Sequence, residues 1–227
     1  MEVDTDNIEW TTKCGRCQHH ATMGFVSTYH HGNLRPALVL AAVDLARVNG
    51  PDGVVLREVA RQTGVSHNAA YRHFADREEL LAEVASVAMD QLEQAMEQRI
   101  AAVRSRSPAL RARRRLSEVG RAYVYFALAE PGLFEVAFAT QQAHPDPASG
   151  PETAGPYGVL GRVLDELVDA GLLTTARREG ADVVCWAAVH GFAMLHLHGP
   201  LREMPAEMRE ATLVLLLATI ERGLTGA

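Results

Sequence analysis

The 227-residue sequence is poor in the features that mark several common protein classes. Strand signals are scarce. Val54-Val55-Leu56 and Leu213 to Leu217 are short apolar runs beside helix-length patterning, so the chain reads as all-α. No apolar run reaches the length of a membrane span; Leu213 to Ile220 is too short and interrupted. A basic leader followed by an apolar stretch is missing, which gives the expectation of a cytoplasmic protein without a membrane partner. Cysteine is limited to three residues, with no second pair downstream to complete a four-cysteine site. No nucleophile stands beside a base, and no carboxylates cluster, so the usual signatures of catalysis are lacking.

The net charge of −6 argues against a chain that coats nucleic acid along its whole length. Its distribution is more informative. Residues 27–117 hold 13 arginines against 10 acids, whereas residues 118–227 hold 7 against 14. The first part is the one that tolerates a phosphate backbone. With 48% apolar and 22% charged residues, the chain can bury one large core or two modest ones.

What the sequence does carry is concentrated between Leu56 and Phe74, LREVARQTGVSHNAAYRHF. Leu56, Val59 and Ala60 share a face at helical spacing, with Arg57, Glu58 and Arg61 opposite. Gly64 stands where a helix end takes a left-handed residue, Val65 plugs the angle between two helices, and Ser66 has the side chain of an N-cap. His67-Asn68-Ala69-Ala70-Tyr71-Arg72-His73-Phe74 follows. With Ala70 and Phe74 inward, His67, Asn68, Tyr71 and Arg72 point outward together. Such a helix, free of carboxylates, suits a major groove lined by acceptors and flanked by phosphates. The other reading is an αα-corner inside an enzyme, its polar residues merely solvated.

The flanks add context. Asn33 to Gly50 reads as an amphipathic helix with Leu34, Leu38, Ala41, Leu45 and Val48 as its stripe, Pro36 in its first turn and Gly50 as its stop. Downstream, Asp76 caps a long helix from Arg77 to Val103. Leu80, Val84, Val87, Ala88, Leu92, Ala95, Met96, Ile100 and Val103 keep its period.

In this order of parts the chain resembles the TetR family of one-component transcriptional repressors. Gly50, Gly64-Val65-Ser66, Tyr71-Arg72-His73-Phe74 and the charged helix from Arg77 carry the resemblance, which covers residues 29 to about 82. Tyr29-His30-His31-Gly32-Asn33-Leu34-Arg35 and Trp186-Ala187-Ala188-Val189-His190-Gly191 are similar to the subgroup with a Trp/His-Gly C-terminal domain. The sequence departs from the family at Ala70, where Leu is common, and at Val54 and Val55, where Thr or Ser usually caps the second helix.

The resemblance implies a leader over 1–26, a three-helix helix-turn-helix DNA-binding domain over 27–76, and a helical bundle for ligand binding and dimerisation over 77–227. It implies a ligand-responsive homodimer that represses transcription from a palindromic double-stranded DNA operator and is released by a small-molecule effector. It implies neither an enzyme nor a cofactor. Position by position, it puts Arg57, His67, Asn68 and Ala69 at base edges, with the cap Ser66 among the DNA-binding positions. Tyr71, His73 and Arg77 match phosphate contacts, and Arg72 matches either kind. Tyr29 to Arg35 would reach a neighbouring groove or phosphate.

Beyond the long helix, Arg104 to Arg115 (RSRSPALRARRR) reads as a turn whose last three arginines form a solvated helix face, contact with flanking DNA being the second reading. Leu116, Val119, Tyr123, Phe126 and Ala127 continue at helical spacing to Pro131, and Gly132 to Ala139 is a short apolar helix. His144 to Pro156 reads as a loop, and Gly158 to Ala170 is helical again, with Leu160, Val163, Leu164, Leu167 and Val168 buried. Glu179 or Gly180 opens a helix with Trp186 and His190 on one face, joined by Ala193, Met194 and Leu197; Ala187 and Gly191 admit a close neighbour. The last helix, Pro205 to Arg222, is apolar almost all round and needs cover on more than one side. The last two helices of two chains are therefore expected to form a four-helix dimer interface, as the resemblance also implies.

An effector pocket in this bundle, again implied by the resemblance, has Tyr123, Phe126, Phe134, Phe138, Trp186, His190 and Met194 as candidates. They are chosen because bulky aromatic and Met side chains near small residues often surround an adaptable cavity. Ordinary core packing is the other reading of each.

Cys14-Gly15-Arg16-Cys17 followed by His19-His20 has the look of a zinc or dithiol site. These four ligands lie in an acidic, patternless leader, and Cys185 belongs on a buried helix face, so no metal is expected. The plainer reading has translation starting at Met23 or Val26 and the leader disordered. Two other functions stay open: a helical-bundle enzyme using His190, His196 and His198, and a nonspecific DNA-organising protein, which the acidic C-terminal half disfavours.

Overall fold

Short apolar periods broken by Gly, Pro and capping residues dictate a chain of helices. The computed structural model describes residues 34–139 and 155–226. Among them are α1 (Leu34–Asn49), a 3-10 turn (Pro51–Gly53), α2 (Leu56–Gln62), α3 (His67–Tyr71), α4 (Arg77–Ala102) and α5 (Pro108–Ala129). There follow α6 (Pro131–Ala139), α7 (Gly155–Asp169), α8 (Thr175–Arg178), α9 (Ala181–Leu197) and α10 (Ala206–Thr225). The described residues form no strand, so the fold is all-α, as expected. The described residues form one compact unit.

The α2–α3 corner follows from its sequence. Gly64 adopts φ +70°, and the Val65 N–H reaches back to the Ala60 carbonyl at 3.0 Å, a closure that Gly makes without strain. Ser66 Oγ then accepts the Ala69 N–H at 3.2 Å and starts α3. Helix α3 ends at Tyr71, earlier than its apolar spacing predicts, and Arg72 and His73 continue as a turn.

Helix α1 buries a different arc from the expected stripe. Leu38, Val39, Ala42, Val43, Leu45 and Ala46 are buried, whereas Val48 is 80% exposed. The cause is cover from two sides, since α1 packs on both α4 and α6. Close approach to α6 depends on Gly132, where an added Cβ would run into the Ala46 carbonyl. Helix α4 is capped as expected, with Asp76 Oδ1 accepting the Glu79 N–H at 2.8 Å. Of the predicted stripe it buries Leu80, Val84, Ala88, Leu92, Met96 and Ile100, leaves Val87 and Ala95 half-buried and ends before Val103. It also buries Leu81 and Ala85, because α1, α5, α6 and α7 all pack against it.

Helix α5 starts earlier than expected, at Pro108, with Ser107 as its cap. The three arginines before Leu116 do not form a solvated face. Arg113 is ion-paired with Glu221 of α10 and Arg115 with Glu166 of α7, leaving only Arg114 exposed. Their acidic partners lie far away in sequence, so local patterning could not reveal them. Helix α5 is also the centre of the bundle, touching α4, α6, α7, α9 and α10. The chain then bends by 106° into α6. Helix α7 begins at Gly155; the rest of the expected loop, and the leader with Cys14, Cys17, His19 and His20, lie outside the described residues. No single helix among the described residues is long and apolar enough to cross a membrane.

Candidate nucleic-acid interface and effector cavity

The two anchors of α3 point inward: Ala70 and Phe74 are fully buried. This turns Ser66, His67, Asn68, Tyr71 and Arg72 to the surface, Tyr71 being 47% exposed, with Ala69 and His73 half-buried. His67 and Tyr71 meet edge to face, ring centroids 4.6 Å apart, so two flat hydrogen-bonding groups are held side by side. Arg57 of α2 is exposed, while Glu58, whose acidity is held up by its hydrogen bonds from Arg61, is neutralised at 2.6 Å. No acidic residue sits in the first turn of α3.

Two arginines brace this head. Arg77 donates from Nε to the Val54 carbonyl at 2.8 Å and from an Nη to the Pro51 carbonyl at 2.5 Å. The side chain expected to contact phosphate is thus occupied in holding the segment that leads into α2. This segment lacks a side-chain cap, since its N-cap residue is Val55. Arg35 lies over the Phe74 ring, 4.4 Å from its centroid. It also donates to the His73 carbonyl at 2.7 Å and to Glu83 at 2.6 Å, tying α1 to the turn after α3. Sequence patterning missed both braces because their partners are backbone carbonyls or distant carboxylates. Tyr29 to Asn33, expected to extend the interface, lie outside the described residues.

In the bundle, five of the seven candidate effector residues come together. Tyr123 of α5 packs edge to face on Phe134 at 5.6 Å and on Trp186 at 5.2 Å; Phe138 and His190 complete the group. Tyr123 Oη lies 2.7 Å from His190 Nδ1, and burial pushes the phenol pKa far above its ordinary value. Phe126 is buried but is not among these rings. Met194 is a correction: it is 38% exposed and lies outside the group. Eight residues beyond Trp186, at about 3.6 per turn, it has rotated roughly 80° past the shared face.

Beside these rings lies a small apolar cavity of about 20 Å³, partly open, walled by Leu116, Ser117, Tyr123, Trp186, Val189 and Leu217 among others. Counting its mouth towards solvent, the cleft encloses about 410 Å³. Met96 of α4 and Cys185 of α9 also line it; burial raises the thiol pKa to about 12, so Cys185 stays a neutral, apolar wall. The histidines of the enzyme reading go to separate surroundings. His190 joins the aromatic group. His196 is buried, with Nδ1 2.8 Å from the Phe192 carbonyl, and His198 lies at the surface, 3.1 Å from Glu135. Among the described residues no three His, Cys, Asp or Glu side chains form a metal-binding group.

The outer faces of α9 and α10 are apolar and uncovered. Val183, Val184 (59% exposed) and Leu195 lie on α9, and Met208, Val214 and Leu215 (61% exposed) on α10. A Cβ added at Gly191 would meet nothing within 4 Å.

Comparison with known proteins agrees with this geometry. The model of bacterial regulatory proteins of the tetR family matches residues 38–84, and that of the tetracyclin repressor-like C-terminal domain matches residues 116–220. The structure of a protein of unknown function from Rhodococcus sp. RHA1 is 30% identical, with 88% of this chain and 99% of that one covered and a TM-score of 0.67. A TetR-family transcriptional regulator from Pectobacterium atrosepticum shares the fold at 21% identity, covering 84% and 93%, with a TM-score of 0.60. A TetR variant from Acinetobacter baumannii AYE, in complex with minocycline, does so at 16% identity, covering 83% and 94%, with a TM-score of 0.57. No curated protein matches in sequence.

Proposed function

The chain belongs to the TetR family of bacterial regulatory proteins, and from that premise we propose that it is a homodimeric repressor, released from a palindromic operator by a small molecule. As a transcriptional regulator of this family it pairs a helix-turn-helix with a ligand-binding C-terminal domain, and such regulators are generally not enzymes. The observation that carries the finer reading is the exposure of His67, Asn68, Tyr71 and Arg72 on a helix anchored by buried Ala70 and Phe74. Arg57, His67, Asn68 and Ala69 read base edges, Ser66, Tyr71 and His73 lie along the phosphates, and Arg72 serves either. Arg77 acts chiefly by fixing the approach to α2. Residues 27–76 do the reading and 77–227 bind effector and partner, in the cytoplasm where the operator is.

The uncovered faces of α9 and α10 support the homodimer, since apolar faces of this kind call for cover. Two-fold symmetry would set two α3 helices one DNA turn apart. Release works as a population shift: ligand binds unequally to two arrangements of the bundle. Helix α4 is the mechanical link. It reaches the cavity through Met96 and the head through Arg77, 19 residues or roughly 28 Å away along a single helix. Selecting sites from a random DNA pool tests the reading. A symmetrical motif is expected, lost in Asn68→Ala with Tyr71→Ala, and no enrichment by the unaltered protein overturns it.

A further inference from the structure

The apolar cavity has a charged neighbour. On the other side of Ser117 lies an open groove of about 920 Å³ between the end of α4, the start of α5 and α10. Ser117 is in the wall of both spaces, and on α10 the cavity residue Ile220 is followed directly by the groove residue Glu221. The cavity wall carries no charged side chain, so an ion placed wholly inside it would be desolvated without a partner. The groove is the reverse. Arg99, Arg104, Arg113, Arg114 and Arg121 line it against only two carboxylates, Glu118 and Glu221. Arg99 is committed to Glu118 at 2.6 Å, Arg113 to Glu221, and Arg121 to Glu210 of α10. Arg104 donates to the Ala101 and Val103 carbonyls, Arg114 is exposed, and neither has a carboxylate in ion-pairing range among the described residues. The surplus positive charge therefore sits on Arg104 and Arg114, in the groove that shares Ser117 with the apolar cavity.

We propose that the effector is an amphipathic anion, its uncharged apolar body entering beside Trp186, Val189 and Leu217 and its oxyanion head meeting Arg104 and Arg114. The inference rests on the effector reading above and adds the ligand class. The cavity as it stands holds little more than a water, so the body enters by displacing Leu217 and Ile220. Both belong to α10, the helix that also carries the uncovered outer face, so ligand entry and subunit geometry act on one element.

The test uses the full chain with Trp10→Phe, which leaves Trp186 as the sole tryptophan and reporter of the cavity. Decanoate, decan-1-ol and decylamine are titrated singly, and Trp186 emission and operator release are followed. Decanoate is expected to bind about tenfold more tightly than decan-1-ol, as a charge-assisted hydrogen bond provides, with decylamine weakest. That preference should fall to parity in Arg104→Gln with Arg114→Gln, both surface changes that leave the core intact. If decan-1-ol binds as tightly as decanoate, or decanoate keeps its preference in the double variant, the anionic head is overturned and the effector cavity stands. If no probe changes Trp186 emission, the assignment of the cavity fails with it.

Discussion

Tyr123 Oη and His190 Nδ1 lie 2.7 Å apart, joining α5 to α9 at the centre of the aromatic group. Burial keeps the phenol protonated across the pH range of the folded protein, so the contact does not switch with pH on the tyrosine side. Tyr123→Phe should leave the edge-to-face contacts with Phe134 and Trp186 in place and remove only the hydroxyl. The expected loss, read by urea unfolding, is about 0.5–1.5 kcal/mol, the net contribution of one hydrogen bond. A loss well below that range would show that the pair contributes little.

Arg77 is expected to matter more for the shape of the head than for direct phosphate contact. Arg77→Ala removes donors to the Val54 and Pro51 carbonyls and should lower stability by about 1–3 kcal/mol. Arg77→Lys should rescue little of it, because a single ammonium does not reproduce the guanidinium fork. The accompanying measurement is the salt dependence of operator binding. A positioning residue lowers affinity with the slope unchanged, whereas loss of a phosphate contact flattens the slope by about one unit.

The helix-turn-helix was legible because the residues that shape its corner are local, although its braces, Arg35 and Arg77, are not. Gly64, Ser66, Ala70 and Phe74 lie within one short segment, and each does in the structure what its chemistry demands. The capped start of α4 at Asp76 was legible for the same reason. What escaped was set by partners remote in sequence. The arc buried on α1 depends on α6, and the pairing of Arg113 and Arg115 depends on acids in α10 and α7. Met194 was misplaced because an i to i+8 spacing drifts around a helix, and an apolar face does not announce whether its cover comes from the same chain.

The outer faces of α9 and α10 give a direct test of assembly. Leu215→Glu with Val184→Glu puts two charges on side chains that are more than half exposed in one protomer, so the folded monomer should tolerate them. In a dimer the same charges would be buried next to their symmetry mates, at several kcal/mol. Sedimentation should therefore report a folded monomer with helical content retained, and operator affinity should fall steeply because two reading heads are no longer coupled. A variant that sediments like the parent protein would remove α9 and α10 from the interface.

Glu210 anchors α10 to α5 and should make part of the stability acid-sensitive. It accepts a hydrogen bond from Tyr125 at 2.6 Å and is ion-paired with Arg121; these contacts hold its pKa below the ordinary 4.5. A carboxyl whose folded pKa is depressed stabilises the fold fully above its unfolded value, and the contribution disappears as pH falls through the folded value. Glu210→Gln keeps an oxygen for the Tyr125 hydroxyl but loses the charge. Because the side chain is 44% exposed, the expected difference at pH 7 is small, up to about 1 kcal/mol. Urea titrations of both proteins should show the gap at pH 7, narrowing below pH 4.5 and closing once Glu210 is protonated in the folded state. A gap that stays constant down to acid pH would mean that the substitution acts through packing, with the charge contributing nothing.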